Sequence, residues 1–158
     1  MVVSTFLLVI IGVTTTTYAV VTNVAQGKSA YQSTTLGTYV ASKGVDGNTD
    51  SDMMNGRCFH TKSAAENWWY VDLGQIYGTI RLIEVFSRTD CCAERNQKIA
   101  VQIGTSLDNM QQVKYWSSQI WDYESVVFPQ NQAVRYVKLV HTANTYFHLC
   151  EIKVYSQT

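Results

Sequence analysis

The sequence predicts an all-β domain. Turn formers punctuate short apolar runs at close intervals, and no segment after the first twenty residues sustains the apolar period of a long helix. Near the C-terminus, Ile152 and Val154 alternate with Glu151, Lys153 and Tyr155, the pattern of a strand with one buried and one wet face. Half-buried strands must cover their apolar faces with one another, so a sandwich of two antiparallel sheets is the expected assembly. With 158 residues, a single proline at Pro129 and no low-complexity linker, the chain has room for one such unit around one core.

Taken in order, the chain opens with the apolar run Phe6-Leu-Leu-Val-Ile-Ile-Gly-Val13, followed by threonines and Thr17-Tyr18-Ala19. The run is shorter than the roughly 20 residues of a spanning helix, and it leads into a small-residue cleavage pattern. Residues 1–19 are therefore expected to be a secretory signal peptide, although no positive charge precedes the apolar stretch. A mature domain over 20–158 follows, expected to be soluble, extracellular and not inserted in a membrane. Gly44-Val45-Asp46-Gly47-Asn48-Thr49-Asp50 is rich in turn formers and oxygen side chains and reads as a loop. Strands are expected over Trp68–Leu73, Thr79–Phe86, Ile99–Ile103, Ser125–Phe128, Arg135–Val140 and Leu149–Tyr155. Trp68 and Trp69 are taken as sheet and core packing, since aromatic residues favour strands.

Twelve basic residues balance twelve acidic ones with no basic stripe, which excludes an electrostatic nucleic-acid binder. Any anionic partner would be recognised locally. Export would place Cys58, Cys91, Cys92 and Cys150 in an oxidising compartment, where disulfides are the default. Four cysteines allow three pairings, and spacing leaves the choice open. Zinc is disfavoured, because no pair here has the two-to-four-residue gap of a structural zinc knuckle. The chain has no Asn-x-Ser/Thr sequon.

Arg88-Thr-Asp90-Cys91-Cys92-Ala-Glu94-Arg95 sets two guanidinium groups around adjacent cysteines. Neighbouring Cα atoms stand about 3.8 Å apart, closer than ordinary disulfides prefer, so a bond between them would close almost no loop and contribute little to stability. Such a feature points to a contact surface. With His60, the arginines offer donors suited to the neutral hydroxyls of a sugar: each guanidinium fork reaches two neighbouring oxygens with little entropy lost per bond, and the imidazole adds another donor. Asp90 could hold one of the arginines in place. The competing reading is a solvated salt-bridge network of Arg88, Asp90, Glu94 and Arg95. No nucleophile and base can be paired once the cysteines are oxidised, so the chain is not expected to be an enzyme.

The order of motifs resembles the F-type lectins, the fucose-binding fucolectin family. These motifs are Asn23-Val-Ala25-x-Gly27-Lys-x-Ala30-x-Gln32-Ser33, Val45-Asp46-Gly47-Asn48, Cys58-x-His60-Thr61, Trp68-Trp69-x-Val71-Asp72-Leu73-Gly74, the Arg88–Arg95 octapeptide and Leu149-Cys150-Glu151. They span essentially the whole mature chain. The resemblance implies an eight-stranded antiparallel β-sandwich jelly roll of the galactose-binding, discoidin-like kind, with loops at one end binding terminal L-fucose beside a structural calcium ion. Carried over by motif, His60, Arg88 and Arg95 would hydrogen-bond the sugar, Asp90 would support them, and Cys91–Cys92 would be a vicinal disulfide stacking on the ring. Cys58–Cys150 would be the long-range bridge. Met53 and Met54 stand where the family often has aromatic residues, and their adaptable thioethers would suit a pocket for the fucose methyl group; ordinary packing is the alternative. Tyr39 is a candidate ring contact.

For calcium, the resemblance implies side-chain oxygens from Asp46, Asn48 and Glu151 and main-chain carbonyls from Lys43, Arg57 and Cys150. The alternative for this loop is a plain Asx turn without metal. Arg57 replaces the usual serine or threonine, and Thr89 means that there is no Arg-Gly-Asp tripeptide. The expected function is a secreted, non-enzymatic lectin for fucosylated glycans and free L-fucose, acting in innate recognition or agglutination. One site per chain makes a homo-oligomer advantageous. The alternative is a discoidin-like adhesion module for lipid head groups or matrix protein, which would carry exposed apolar spikes on its loops.

Overall fold

The computed structural model describes residues 20–157, so the signal peptide expected over residues 1–19 lies outside the described residues. Nine strands follow one another: β1 (Val21–Asn23), β2 (Ser29–Gln32), β3 (Phe59–His60), β4 (Asn67–Phe86), β5 (Ile99–Ser106), β6 (Asn109–Trp116), β7 (Tyr123–His141), β8 (His148–Leu149) and β9 (Glu151–Gln157). Short 3-10 turns cover Ala41–Val45, Met53–Asn55 and Ala93–Arg95. Every strand pairing is antiparallel.

The all-β expectation holds, and the strand count differs from eight for a visible reason. The segments expected as Trp68–Leu73 and Thr79–Phe86 are two halves of β4, and Ser125–Phe128 and Arg135–Val140 are two halves of β7. The first half of β4 pairs with β2 and with the second half of β7, which continues through β5 to β6. The second half of β4 pairs with β9 and with the first half of β7, and β9 carries β1 at its edge. Register shifts between Asp72 and Leu82 mark the crossover, in a stretch that holds Gly74 and Gly78. Residues 74–76 and Gly78 are exposed between buried Leu73 and Ile80, so continuous backbone pairing is compatible with a break in the apolar alternation that the sequence registers as two strands. β8 pairs with β3 as a separate two-stranded ribbon.

The inward faces of both layers meet in one core that draws on Trp69, Val71 and Leu73 from one half of β4 and Ile83 and Val85 from the other. Phe59, Phe147, Leu139, Ile152 and Val154 complete its centre. Gly44, which the sequence suggests is a turn residue, serves close packing instead: a Cβ there would stand 3.1–3.2 Å from Phe59, Trp69 and Ile152. Trp69 Nε1–H donates to the Ala41 carbonyl at 2.9 Å, which seats the 3-10 turn on the core. This turn starts the loop that leads to Asp46.

The ends of the two layers come together at one pole. Phe86 pairs with Glu151 and Tyr123 at the end of one layer, and His141 pairs with Asn67 and Ile99 at the end of the other. Arg88, Asp90, Cys91 and Cys92 follow the end of β4, and Arg95 precedes β5.

Candidate functional site

Arg88 leaves the end of β4 and folds onto its own carboxylate neighbour. Its Nε and Nη2 each donate to Asp90 at 2.7 Å, a bidentate pair with Arg88 8% exposed. The Arg88 fork holds the Asp90 carboxyl well down, at about 2, with the Met53 N–H also favouring the anion. That N–H reaches Asp90 Oδ1 at 3.1 Å. Thr89 N–H donates to the Ser51 carbonyl at 3.1 Å, and the Ser51 and Thr89 hydroxyls stand 2.6 Å apart. Asp90 therefore fixes Arg88 and docks the 51–53 loop at once, and among the described residues Nη1 donates no hydrogen bond. The pair is one link of the salt-bridge network weighed from the sequence, with the Arg88 side chain 10% and the Asp90 side chain 19% exposed.

Arg95 closes the 3-10 turn that begins at Ala93, and its side chain is 31% exposed. Its guanidinium lies over the Tyr146 ring at 5.0 Å, a cation–π contact that leaves the N–H edge open. Glu94 approaches only to 3.8 Å. Behind it, His141 Nε2–H donates to the Arg95 carbonyl at 2.7 Å, anchoring the backbone.

His60 lies on β3, 2% exposed, between Tyr146 at 5.4 Å and His148 at 4.9 Å between ring centroids. Its Nδ1 is 2.7 Å from the Thr61 carbonyl oxygen. A carbonyl only accepts, so the proton sits on Nδ1 and Nε2 carries a lone pair. Burial lowers the ring's pKa, opposed by the Thr61 bond, and the charges of Arg88 and Arg95 lower it further. In its neutral form this imidazole presents Nε2 as an acceptor, where the sequence suggests a donor. Tyr146 touches both His60 and Arg95, and Tyr39 lies between His60 and Met53, whose N–H bonds the Asp90 that holds Arg88, so the three basic residues share one neighbourhood. Tyr146, in contact with both His60 and Arg95, was not legible as a site residue; its only sequence signal is its position two residues before β8.

The four cysteines form two bridges, Cys58–Cys150 and Cys91–Cys92. The first is fully buried and the second reaches the surface beside Arg88 and Arg95. The two methionines separate: Met53 is 5% exposed and packs with Cys58–Cys150 and Tyr39, whereas Met54 is 79% exposed. Met53 thus has the packing position weighed as the alternative, and Met54 alone presents a thioether to solvent.

Asp46 and Glu151 approach each other at Gly47, whose N–H donates to Glu151 Oε1 and Oε2 at 3.2 and 3.3 Å, while Asn48 Oδ1 accepts from the Asp50 N–H at 2.8 Å. Gly47 has φ +87°, and a Cβ there would lie 2.4 Å from the Gln26 side chain, so glycine is required. Asn48 N–H donates to Asp46 Oδ1 at 2.9 Å. Glu151 is fully buried, and no arginine, lysine or histidine pairs with it among the described residues. Burial pushes its pKa to about 8, partly offset by the Gly47 N–H, and the nearby Asp46 charge raises it further. A buried carboxylate beside a second carboxylate is costly unless compensated, so this donor set fits a hard cation. Among the described residues no three His, Cys, Asp or Glu side chains cluster, so amide and main-chain oxygens would have to complete a cage. Lys43 lies in the turn ahead of Asp46, and the bridge from Cys58 to Cys150 keeps Arg57 near the strand that carries Glu151.

Fold and site together define a β-sandwich of the galactose-binding class with a cluster of basic side chains and a vicinal disulfide at one pole. Residues 43–139 match the family model of the NedA-like, galactose-binding domain. The chain is 36% identical to Fucolectin-1 of Anguilla japonica over 70% of its own length and 64% of that protein. It is 34% identical to a fucolectin of Anguilla anguilla over 72% of its length and 75% of that protein. The crystal structure of an f-lectin (fucolectin) from Morone saxatilis (striped bass) serum superposes with a TM-score of 0.79 at 32% identity. That alignment covers 86% of this chain and 49% of the bass chain, so this chain spans about half of the bass lectin and under two thirds of Fucolectin-1. The chain belongs to the F-type lectin (fucolectin) family.

Proposed function

We propose that the protein is a secreted, non-enzymatic lectin that binds terminal L-fucose on glycans. The observation that carries this reading is the grouping of Arg88, Arg95 and His60 around Tyr146, Tyr39 and Met53, beside the exposed Cys91–Cys92 bridge. Two guanidinium donors and one imidazole acceptor match a set of neutral hydroxyls, each of which both donates and accepts. The sulfur surface would lie against the ring, and exposed Met54, next to the 51–53 segment that bonds Thr89 and Asp90, would offer its thioether to the sugar methyl group. Recognition of microbial or host glycans, with agglutination by an oligomer, follows from this reading because one site per chain gains strength through avidity. A glycan array with L-fucose as competitor tests it: bound glycans should carry terminal fucose and be displaced by the free sugar. Met54 and Trp121 are exposed apolar side chains, so phosphatidylserine vesicles belong in the same experiment. Vesicle binding that ignores fucose would replace the lectin reading with the adhesion module.

The acceptor role of His60 sets a pH dependence. With its pKa held below the ordinary value of about 6.5, the ring stays neutral through pH 7. Affinity for L-fucose should be flat from pH 8 to about 6.5 and weaken below it, as protonation removes the lone pair and adds a third positive charge. Titration calorimetry across this range checks it; tighter binding in acid would assign His60 a donor role.

Calcium is proposed at Asp46, Asn48 and Glu151 with carbonyls of Lys43, Arg57 and Cys150. It would supply the positive charge that buried Glu151 lacks and tie the loop to β9. Chelation should lower the melting temperature, because a cation at a hundredfold excess over its Kd stabilises by about 2.7 kcal/mol. A melt that ignores both chelator and added calcium would reject this site.

A further inference from the structure

The Cys91–Cys92 bridge also lines a shallow pocket of about 440 Å³ that the three basic residues do not occupy. Its other walls include Trp121, Glu94, Asp122 and Gln119. Trp121 is 73% exposed, the largest apolar side chain among the described residues to stand so far out of the fold. An indole left in solvent gives up the burial that normally favours it, so its position calls for an explanation.

The segment carrying Trp121 is rigidly tied to the arginines. Ser87 N–H donates to the Asp122 carbonyl at 2.6 Å, Ser87 Oγ–H to the Ile120 carbonyl at 3.2 Å, and Ile120 N–H to the Asn96 carbonyl at 2.8 Å. Asn96 Nδ2–H donates to Ser87 Oγ at 2.8 Å, closing the set. Ser87 directly precedes Arg88 and Asn96 directly follows Arg95, and both are fully buried. One hydrogen-bonded knot therefore fixes the spacing between Trp121 and both guanidiniums.

We infer that this pocket is a second saccharide subsite, taking the pyranose ring linked to a terminal fucose held at His60, Arg88 and Arg95. The inference rests on the lectin reading above. The exposed indole offers a negative π-face to the weakly positive C–H edge of a sugar ring. Glu94 and Asp122 accept from hydroxyls, and the Gln119 amide both donates and accepts. Two carboxylates in the wall disfavour a phosphate or another anion. The shared wall of Cys91 and Cys92 makes the pocket continuous with the proposed fucose position, so a glycan would straddle the bridge. Selectivity among fucosylated glycans then lies in Trp121.

Titration calorimetry with L-fucose and with fucosyl-α1,2-galactose, fucosyl-α1,3-N-acetylglucosamine and fucosyl-α1,6-N-acetylglucosamine tests this in wild type, Trp121→Ala and Trp121→Phe. At least one disaccharide should bind wild type more tightly than L-fucose does. Trp121→Ala should weaken that disaccharide about tenfold or more while leaving L-fucose within about twofold, and Trp121→Phe should restore most of the loss. Because Trp121 lies outside the core, an unchanged melting curve would accompany both variants. Binding of L-fucose with no disaccharide preferred, or a preference that survives Trp121→Ala, overturns the subsite and leaves the fucose reading standing. Failure of wild type to bind L-fucose or any of the disaccharides overturns both.

Discussion

Arg88→Ala is expected to weaken L-fucose binding by at least about a hundredfold, since a buried guanidinium making charge-assisted bonds to a ligand contributes roughly 1.5–3 kcal/mol per bond. The same change strips Asp90 of both short bonds from its counterion, leaving the carboxylate with the Met53 N–H. Docking of the 51–53 loop would loosen with it, so a modest drop in melting temperature should accompany lost binding. Arg88→Lys keeps the charge and loses the fork, and it should fall between wild type and alanine. Arg95→Ala separates the two effects. Its nearest carboxylate is 3.8 Å away and its main contact is the Tyr146 ring, so stability should fall by no more than about 1 kcal/mol while binding is lost. Calorimetry with L-fucose, alongside thermal melts, reads both quantities. Near-wild-type affinity in both alanine variants would remove these arginines from the site.

The double variant Cys58→Ala/Cys150→Ala is expected to produce the largest loss of stability. The bridge joins residues 92 apart in sequence, and chain-entropy arguments give a loop of that size about 4–5 kcal/mol. For a domain of this size the loss corresponds to roughly 10–20 °C in melting temperature. The bridge is also buried with Met53 beneath the loops at the ligand pole, so its removal should weaken fucose binding indirectly. Cys91→Ser/Cys92→Ser should behave in the opposite way. Its bond joins adjacent residues, so the melt should move by no more than about 2 °C, while the proposed ring contact is lost and affinity falls. Calorimetric scans of the two double variants, each titrated with L-fucose, make the comparison. A small shift for Cys58–Cys150 would mean that the unfolded chain is already compact or that the hydrogen-bonded loops hold the pole without the bridge.

Much of the fold could be read from the chain because inward residues alternate along the longer strands, as in Trp69, Val71, Leu73 and again Ile152, Val154. The edge strands were not read: β1 and β2 bury little, and β6 alternates weakly because only Trp116 at its end is buried. β3 is two residues long and owes its pairing to β8, far away in sequence. The continuity of β4 and β7 was missed for a related reason, since exposed side chains at the crossover erase the pattern while backbone bonds persist.

At the pole, the chain by itself determined which residue types were present and in what order: two arginines around adjacent cysteines, a histidine after Cys58, and oxygen side chains near Gly47 and at Glu151. Local chemistry is enough for that, because a guanidinium or carboxylate has the same bonding capacity wherever it sits. Only the tertiary structure decided how that capacity is used. It committed two of Arg88's nitrogens to Asp90, turned His60 into an acceptor through Thr61, buried Met53 while leaving Met54 in solvent, and brought Tyr146 under Arg95. It also placed Trp121 on a knot shared with both arginines. These outcomes depend on partners tens of residues apart, and burial and hydrogen-bond competition between such partners exist only once the chain has folded.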